Sequence, residues 1–75
     1  MWLPDEYRFL NLFGVVYYIE WEKLEPDCSF FLKTTATAAQ VKRALRPHQK
    51  AFGYDLRCVA RKENGYYGVR VWRIA

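Results

Sequence analysis

Around Asn64-Gly65 the chain alternates as a hairpin does. The flanking runs YDLRCVARKE and YYGVRVWRIA carry residue types that suit a pleated surface, and Asn-Gly is the strongest short-range signal for a two-residue type I′ turn. Closing that turn sets Glu63 against Tyr66, Lys62 against Tyr67, Ala60 against Val69, Val59 against Arg70, Cys58 against Val71 and Arg57 against Trp72. A period of two then sorts the side chains. Leu56, Cys58, Ala60, Val69 and Val71 share one face, while Arg57, Val59, Arg61, Tyr66, Arg70 and Trp72 share the other. A slip of one residue would mix arginines with valines, so the sorting itself supports the register.

The period changes upstream. In TAAQVKRALRPHQKAFG, Val41, Leu45, His48 and Phe52 recur at helical spacing and form one apolar stripe, with Lys42, Arg43, Arg46, Gln49 and Lys50 around it. Thr37 with Gln40 makes a capping box and Gly53 stands where a C-terminal cap belongs. Pro47 removes a backbone donor, so a kink or a restart is expected there. Before the helix, VVYYIEWEKL and SFFLKTT flank a turn at EPDC. That pairing sets Leu24 against Ser29, Trp21 against Leu32 and Glu20 against Lys33, the last pair matched in charge. At the start, LPDEYRFLNLFG reads as a short helix or an irregular arm: Pro4 suits a first helical position, Asp5 and Glu6 the positive helix end, Gly14 a terminator. Phe9, Leu10 and Phe13 would then share a face. The expected fold is α+β: a short N-terminal helix or arm, then β-β-α-β-β, with an antiparallel sheet packed on one amphipathic, Pro-kinked helix. One domain covers 1–75, with 1–18 as an extension and 19–75 as the core.

Composition adds a constraint on that core. At 75 residues a core rarely supplies more than about 3–5 kcal/mol. Three Trp, six Tyr and five Phe offer dense packing, yet so small a body leaves some rings near the surface. The net charge of +4 conceals a division. Residues 1–32 hold six acids (Asp5, Glu6, Glu20, Glu22, Glu25, Asp27) against Arg8 and Lys23; residues 33–75 hold ten bases against Asp55 and Glu63. A basic half of that density favours a polyanionic partner. The acidic segment is expected to be a solvated surface; its sharper reading is that it meets the basic half of a second copy, giving a homodimer.

Little points to catalysis. One histidine and two cysteines without a CxxC fall short of a zinc site, and paired carboxylates, a Gly-rich phosphate loop and a Ser/His/Asp set are missing. The expectation is a protein that is not an enzyme and uses no cofactor and no metal. FLNLFGVVYYI, eleven residues, is too short for a span of about 20, and MWLPDEYR lacks the basic start of a secretory signal. The chain is therefore expected in the cytoplasm, off the membrane, with Cys28 and Cys58 reduced and mostly buried.

The basic, ring-bearing hairpin face is the candidate site. Arg57, Arg61, Arg70 and Arg73 suit phosphate; Tyr66 and Trp72 suit stacking on unpaired bases; Lys42, Arg43 and Arg46 on the helix extend the positive field. The bland alternative is a cation–π pair of Arg57 with Trp72 covering a solvated sheet. The expected function is nucleic-acid binding of low sequence specificity, favouring single-stranded or distorted segments. The alternative is a protein–protein inhibitor, in which the same Arg, Tyr and Trp act as anchors.

From residue 19 onward the chain resembles small open reading frames of tailed bacteriophages. The matching positions are Ser29, Phe30 and Phe31 after the turn, and Gly68 through Arg73 in the closing Gly-Val-Arg-Val-Trp-Arg strand. Where those proteins lead one to expect glycine before Ser-Phe-Phe, this chain has Asp27-Cys28. The resemblance implies a phage-like context, hence a host cytoplasm, and supplies no active site.

Overall fold

The computed structural model describes residues 5–75; Pro4, expected at a first helical position, lies outside them. The elements are a 3₁₀ turn Asp5–Arg8, β1 (Phe9–Leu12), β2 (Val15–Tyr18), a 3₁₀ turn Trp21–Lys23, β3 (Ser29–Lys33), α1 (Ala38–Phe52), β4 (Leu56–Glu63) and β5 (Tyr66–Arg73). The class is α+β: one helix packs on strands, and the strands form two antiparallel sheets, β1-β2 and β3-β5-β4.

The C-terminal hairpin folds in the expected register from Glu63↔Tyr66 to Arg57↔Trp72. Asn64 and Gly65 take φ of 52° and 82°, the left-handed pair a type I′ turn requires. The strand before the helix behaves differently. The expected pairing of 15–24 with 29–35 does not form; β3 pairs with β5 instead, Ser29 against Trp72 and Leu32 against Val69. Consecutive strands are neighbours only about two-thirds of the time, and here the competing partner is better. Pairing with β5 stacks Phe30 and Leu32 beside Val71 and Val69 on the inner face, which the single Glu20–Lys33 charge match cannot equal. Glu20 pairs with Lys23 instead, at 2.7 Å.

Trp21 explains why its segment leaves the extended state. The indole is fully buried, ringed by Phe30, His48, Phe52 and Tyr54 at centroid distances of 5.8, 5.7, 5.3 and 6.2 Å. Its N–H donates to the Tyr7 carbonyl at 2.7 Å, so the one polar atom of this side chain is satisfied inside the core. The 3₁₀ turn Trp21–Lys23 also places Leu24 inward.

The N-terminal segment also departs from expectation. Residues 9–12 are a strand paired with β2, Phe9 against Tyr18 and Leu12 against Val15. Alternation along this strand buries Leu10 and Leu12 and exposes Phe9, so Phe9, Leu10 and Phe13 do not share a helical face. Leu10 and Leu12 belong to the same buried cluster as Val41, Leu45, Leu56, Val69 and Val71. Residues 9–18, read as an extension, thus help to build the core.

Helix α1 follows its capping signals. Thr37 Oγ1 accepts from the Gln40 N–H at 3.1 Å, Gln40 Oε1 accepts from the Thr37 N–H at 2.9 Å, and Gly53 closes the helix at φ 71°. Val41, Leu45 and His48 are buried. The helix runs through Pro47 without restarting. The carbonyl that Pro47 leaves without an intrahelical donor belongs to Arg43, on the solvent side, where water can satisfy it. The helix packs against β4 and β1, covering the inner face of the three-stranded sheet.

Candidate functional site

With the helix on one side, the other face of the β3-β5-β4 sheet is uncovered. Register places Ser29, Phe31 and Lys33 from β3, Tyr66, Gly68, Arg70 and Trp72 from β5, and Arg57, Val59, Arg61 and Glu63 from β4 on this face. Five of the predicted site residues, Arg57, Arg61, Tyr66, Arg70 and Trp72, are therefore brought together. Phe31 and Lys33 were missed at the sequence level, because their strand was paired with the wrong partner.

The centre of the face is organised by charge. Arg70 donates from Nε and Nη2 to the two Glu63 carboxylate oxygens, each at 2.8 Å, and from Nη1 to Ser29 Oγ at 2.7 Å. This fork-on-fork pair is the strong form of the interaction. It holds the Glu63 carboxyl below its ordinary value and the Arg70 guanidinium above its own. Arg70 is thus committed to the protein. Glu63 shares the parity of Arg57 and Arg61, and that alternation was the signal for its place on the face.

Around this pair sit the accessible groups. The Lys33 ammonium lies 3.6 Å from the Tyr66 ring centroid. Arg61 lies 5.8 Å from the Trp72 ring and 3.5 Å from Glu63 Oε2. The alternative of a solvated sheet had Arg57 as the cation–π partner of Trp72; Arg61 takes that role, its directly opposite residue being Gly68. Gly68 is required there, since a Cβ would run into the Leu32 carbonyl oxygen and the Phe31 ring. Arg57 is exposed, and with Asp27, Val59, Arg61, Trp72 and Ile74 it lines a shallow cleft at the far end of the face.

No family model, curated protein or solved structure matches this chain.

The remaining predicted residues lie elsewhere. Arg73 has the opposite parity from Trp72, so it points to the inner side of the sheet. There Nη1 donates to the Leu24 carbonyl at 2.8 Å and the guanidinium stacks 3.7 Å from the Tyr54 ring centroid. It ties the last strand to the loop before β3 and is no part of the open face. Lys42, Arg43 and Arg46 are exposed on α1, behind the sheet, so they add to the field of the molecule without joining the face.

Both cysteines are free. Cys28 is exposed, against the expectation of burial, because the turn before it lifts it to the surface; Cys58 is half-buried, and burial pushes its thiol up from the ordinary value. His48 packs between Tyr7 and Trp21, with Nε2 3.3 Å from the Phe9 carbonyl. Among the described residues no three His, Cys, Asp or Glu side chains converge.

Proposed function

We propose that this chain is a non-enzymatic nucleic-acid-binding protein of low sequence specificity, taking single-stranded or distorted segments on the open sheet face. The observation that carries the reading is the uncovered surface on which Phe31, Tyr66 and Trp72 alternate with Lys33, Arg57 and Arg61. Exposed rings stack on unpaired bases for about 1–3 kcal/mol each, with little preference among bases. The cations meet phosphates and fix the path of the strand without reading sequence. Arg70, held by Glu63, stiffens the platform rather than binding phosphate. Lys42, Arg43 and Arg46 supply long-range attraction from behind.

Fluorescence titration with short single and double strands at two salt concentrations tests this. Trp21 is fully buried, so in a Trp2→Phe background Trp72 provides the signal. Three phosphate contacts give a slope of about −2 in log K against log salt for a single strand. Trp72→Ala weakens binding by about 1–3 kcal/mol. No binding to any strand at low salt overturns the proposal.

The ion pair in the middle of the face favours one second reading. A neutralised Arg70–Glu63 centre presents mixed charge, which suits a protein surface better than a polyanion. In a phage-like context that partner is a host enzyme or defence complex. Binding to a purified host protein that survives nuclease and moderate salt would favour it over the first.

A further inference from the structure

Both hairpin turns lie at one end of the molecule. Phe13 and Val15 from the first hairpin and Gly65, Tyr66 and Tyr67 from the second line a common groove with Lys33. Phe13, Val15, Tyr66 and Tyr67 are 67%, 53%, 53% and 72% exposed, so this end is a cluster of outward-pointing apolar and phenolic side chains. Such a cluster on so small a protein marks a contact surface.

Two further observations say what kind. The first is backbone strain at the tip. Phe13 has φ of 51°, a left-handed conformation that bulky residues rarely adopt and that Asn or Gly would take without cost. Its ring regains little by packing within this chain, since it is the most exposed Phe. The second is charge. Lys33 covers the Tyr66 ring and Lys62 lies 5.2 Å from the Tyr67 ring, while no carboxylate lines the groove and Glu63 beside the second turn is committed to Arg70.

We propose that this end docks on an anionic lipid bilayer. Phe13 and Val15 enter the boundary between headgroups and acyl chains, Tyr66 and Tyr67 lie at headgroup level, and Lys33 and Lys62 meet lipid phosphates. Amphipathic rings favour that interface, and ammonium groups next to it are drawn to anionic headgroups. Side chains this exposed need no shape-matched pocket on the partner when that partner is a bilayer. A second copy meeting tip to tip would set Lys33 and Lys62 against their own equivalents with no acid between them, which opposes self-association here. No described helix is long and apolar enough to cross a membrane; contact at the bilayer surface replaces the expectation of a chain off the membrane.

Vesicle flotation tests it with the full chain. The probes are phosphatidylcholine vesicles with and without phosphatidylserine, each at low and moderate salt. Binding is expected only with phosphatidylserine, falling as salt rises. Phe13→Asn should lose binding tenfold or more while its melting temperature rises, so the loss cannot be ascribed to unfolding. Val15→Ser, which leaves the turn residues intact, should weaken binding in the same direction. Lys33→Gln and Lys62→Gln should each weaken it roughly fivefold. Lys33 and Tyr66 belong to both surfaces, but Phe13 lies off the open sheet face, so Phe13→Asn should leave nucleic-acid affinity unchanged, which distinguishes lipid docking from strand binding. Absence of flotation at low salt, equal flotation of Phe13→Asn, or a dimer in light scattering that Phe13→Asn dissolves in the absence of vesicles would each overturn the proposal.

Discussion

The two hairpins share a turn and little else. Phe13-Gly14 and Asn64-Gly65 have nearly the same backbone, φ 51° and 82° against 52° and 82°. One turn uses the residues the conformation prefers, and the other forces a phenylalanine into it. The first hairpin has four-residue strands and no charged residue from 9 to 19; the second has eight-residue strands with Arg57, Arg61, Lys62, Arg70 and Arg73. A short two-stranded ribbon is at best marginal by itself, so the first depends on burying Leu10 and Leu12. The second is patterned along its length and supplies the central strand of the larger sheet. Right-handed strand twist selects the type I′ turn in both. Where the turn residue disagrees, as at Phe13, the burial of Leu10 and Leu12 on the strand before it overrules it.

The comparison breaks most sharply at Leu10. If the first hairpin is held by its inward face, Leu10→Ala should cost about 2–5 kcal/mol, enough to unfold most of a domain this small. Arg57→Ala on the second hairpin should stay within about 0.5 kcal/mol. Urea unfolding measures both, and a near-silent Leu10→Ala would return residues 9–18 to the status of an appended arm. Next in size is Gly68→Ala, expected to cost about 1–3 kcal/mol through overpacking. Adding Phe31→Ala should rescue it only in part, because the Leu32 backbone oxygen in the way cannot move as a side chain does.

How much of this was legible in the sequence follows from how local each signal is. The second hairpin was readable in full: its turn, register and face sorting all lie within one stretch of chain. Helix α1 was readable from its Thr37–Gln40 box and its apolar stripe. The partner of β3 was not, since nothing near Ser29–Lys33 announces that a strand forty residues later will sit beside it. That one error hid Phe31 and Lys33 from the site. Arg73 was misplaced for another reason: its charge was counted and its parity was not. The turn at EPDC was readable from Pro26: the Cys28 N–H donates to the Glu25 carbonyl at 3.0 Å, with Asp27 at φ 70°.

Exchanging the turn residues sharpens the comparison further. Phe13→Asn should stabilise and Asn64→Phe should destabilise, each by about 1 kcal/mol, because the left-handed conformation penalises a bulky L-residue and tolerates Asn. Thermal melts in parallel read both signs. If Asn64→Phe costs much more than Phe13→Asn gains, the long hairpin depends on its turn and the short one does not. Equal and opposite shifts mean that flanking strands set both turns alike.

The smallest effect concerns two acids, Glu63 on the second hairpin and Glu22 in the 3₁₀ turn that follows the first. Arg70 holds Glu63 below its ordinary value of 4.5, chiefly through its hydrogen bonds, and Arg8 does the same for Glu22. A carboxyl lowered in the folded state contributes stability above its unfolded value and loses that contribution as pH falls through the folded one. Acid titration of stability should therefore flatten in Glu63→Gln and in Glu22→Gln separately, and both changes should be small at neutral pH because the groups are near solvent. Only Glu63→Gln should also touch binding. With its carboxylate gone, Arg70 keeps Ser29 alone and becomes free for phosphate, so affinity for a single strand should rise and the salt slope should steepen by about 0.7. An unchanged slope would mean that Ser29 and the Phe31 ring, 5.8 Å away, suffice to hold the guanidinium against the sheet. The fixed centre of the face would then be built by packing rather than by the ion pair.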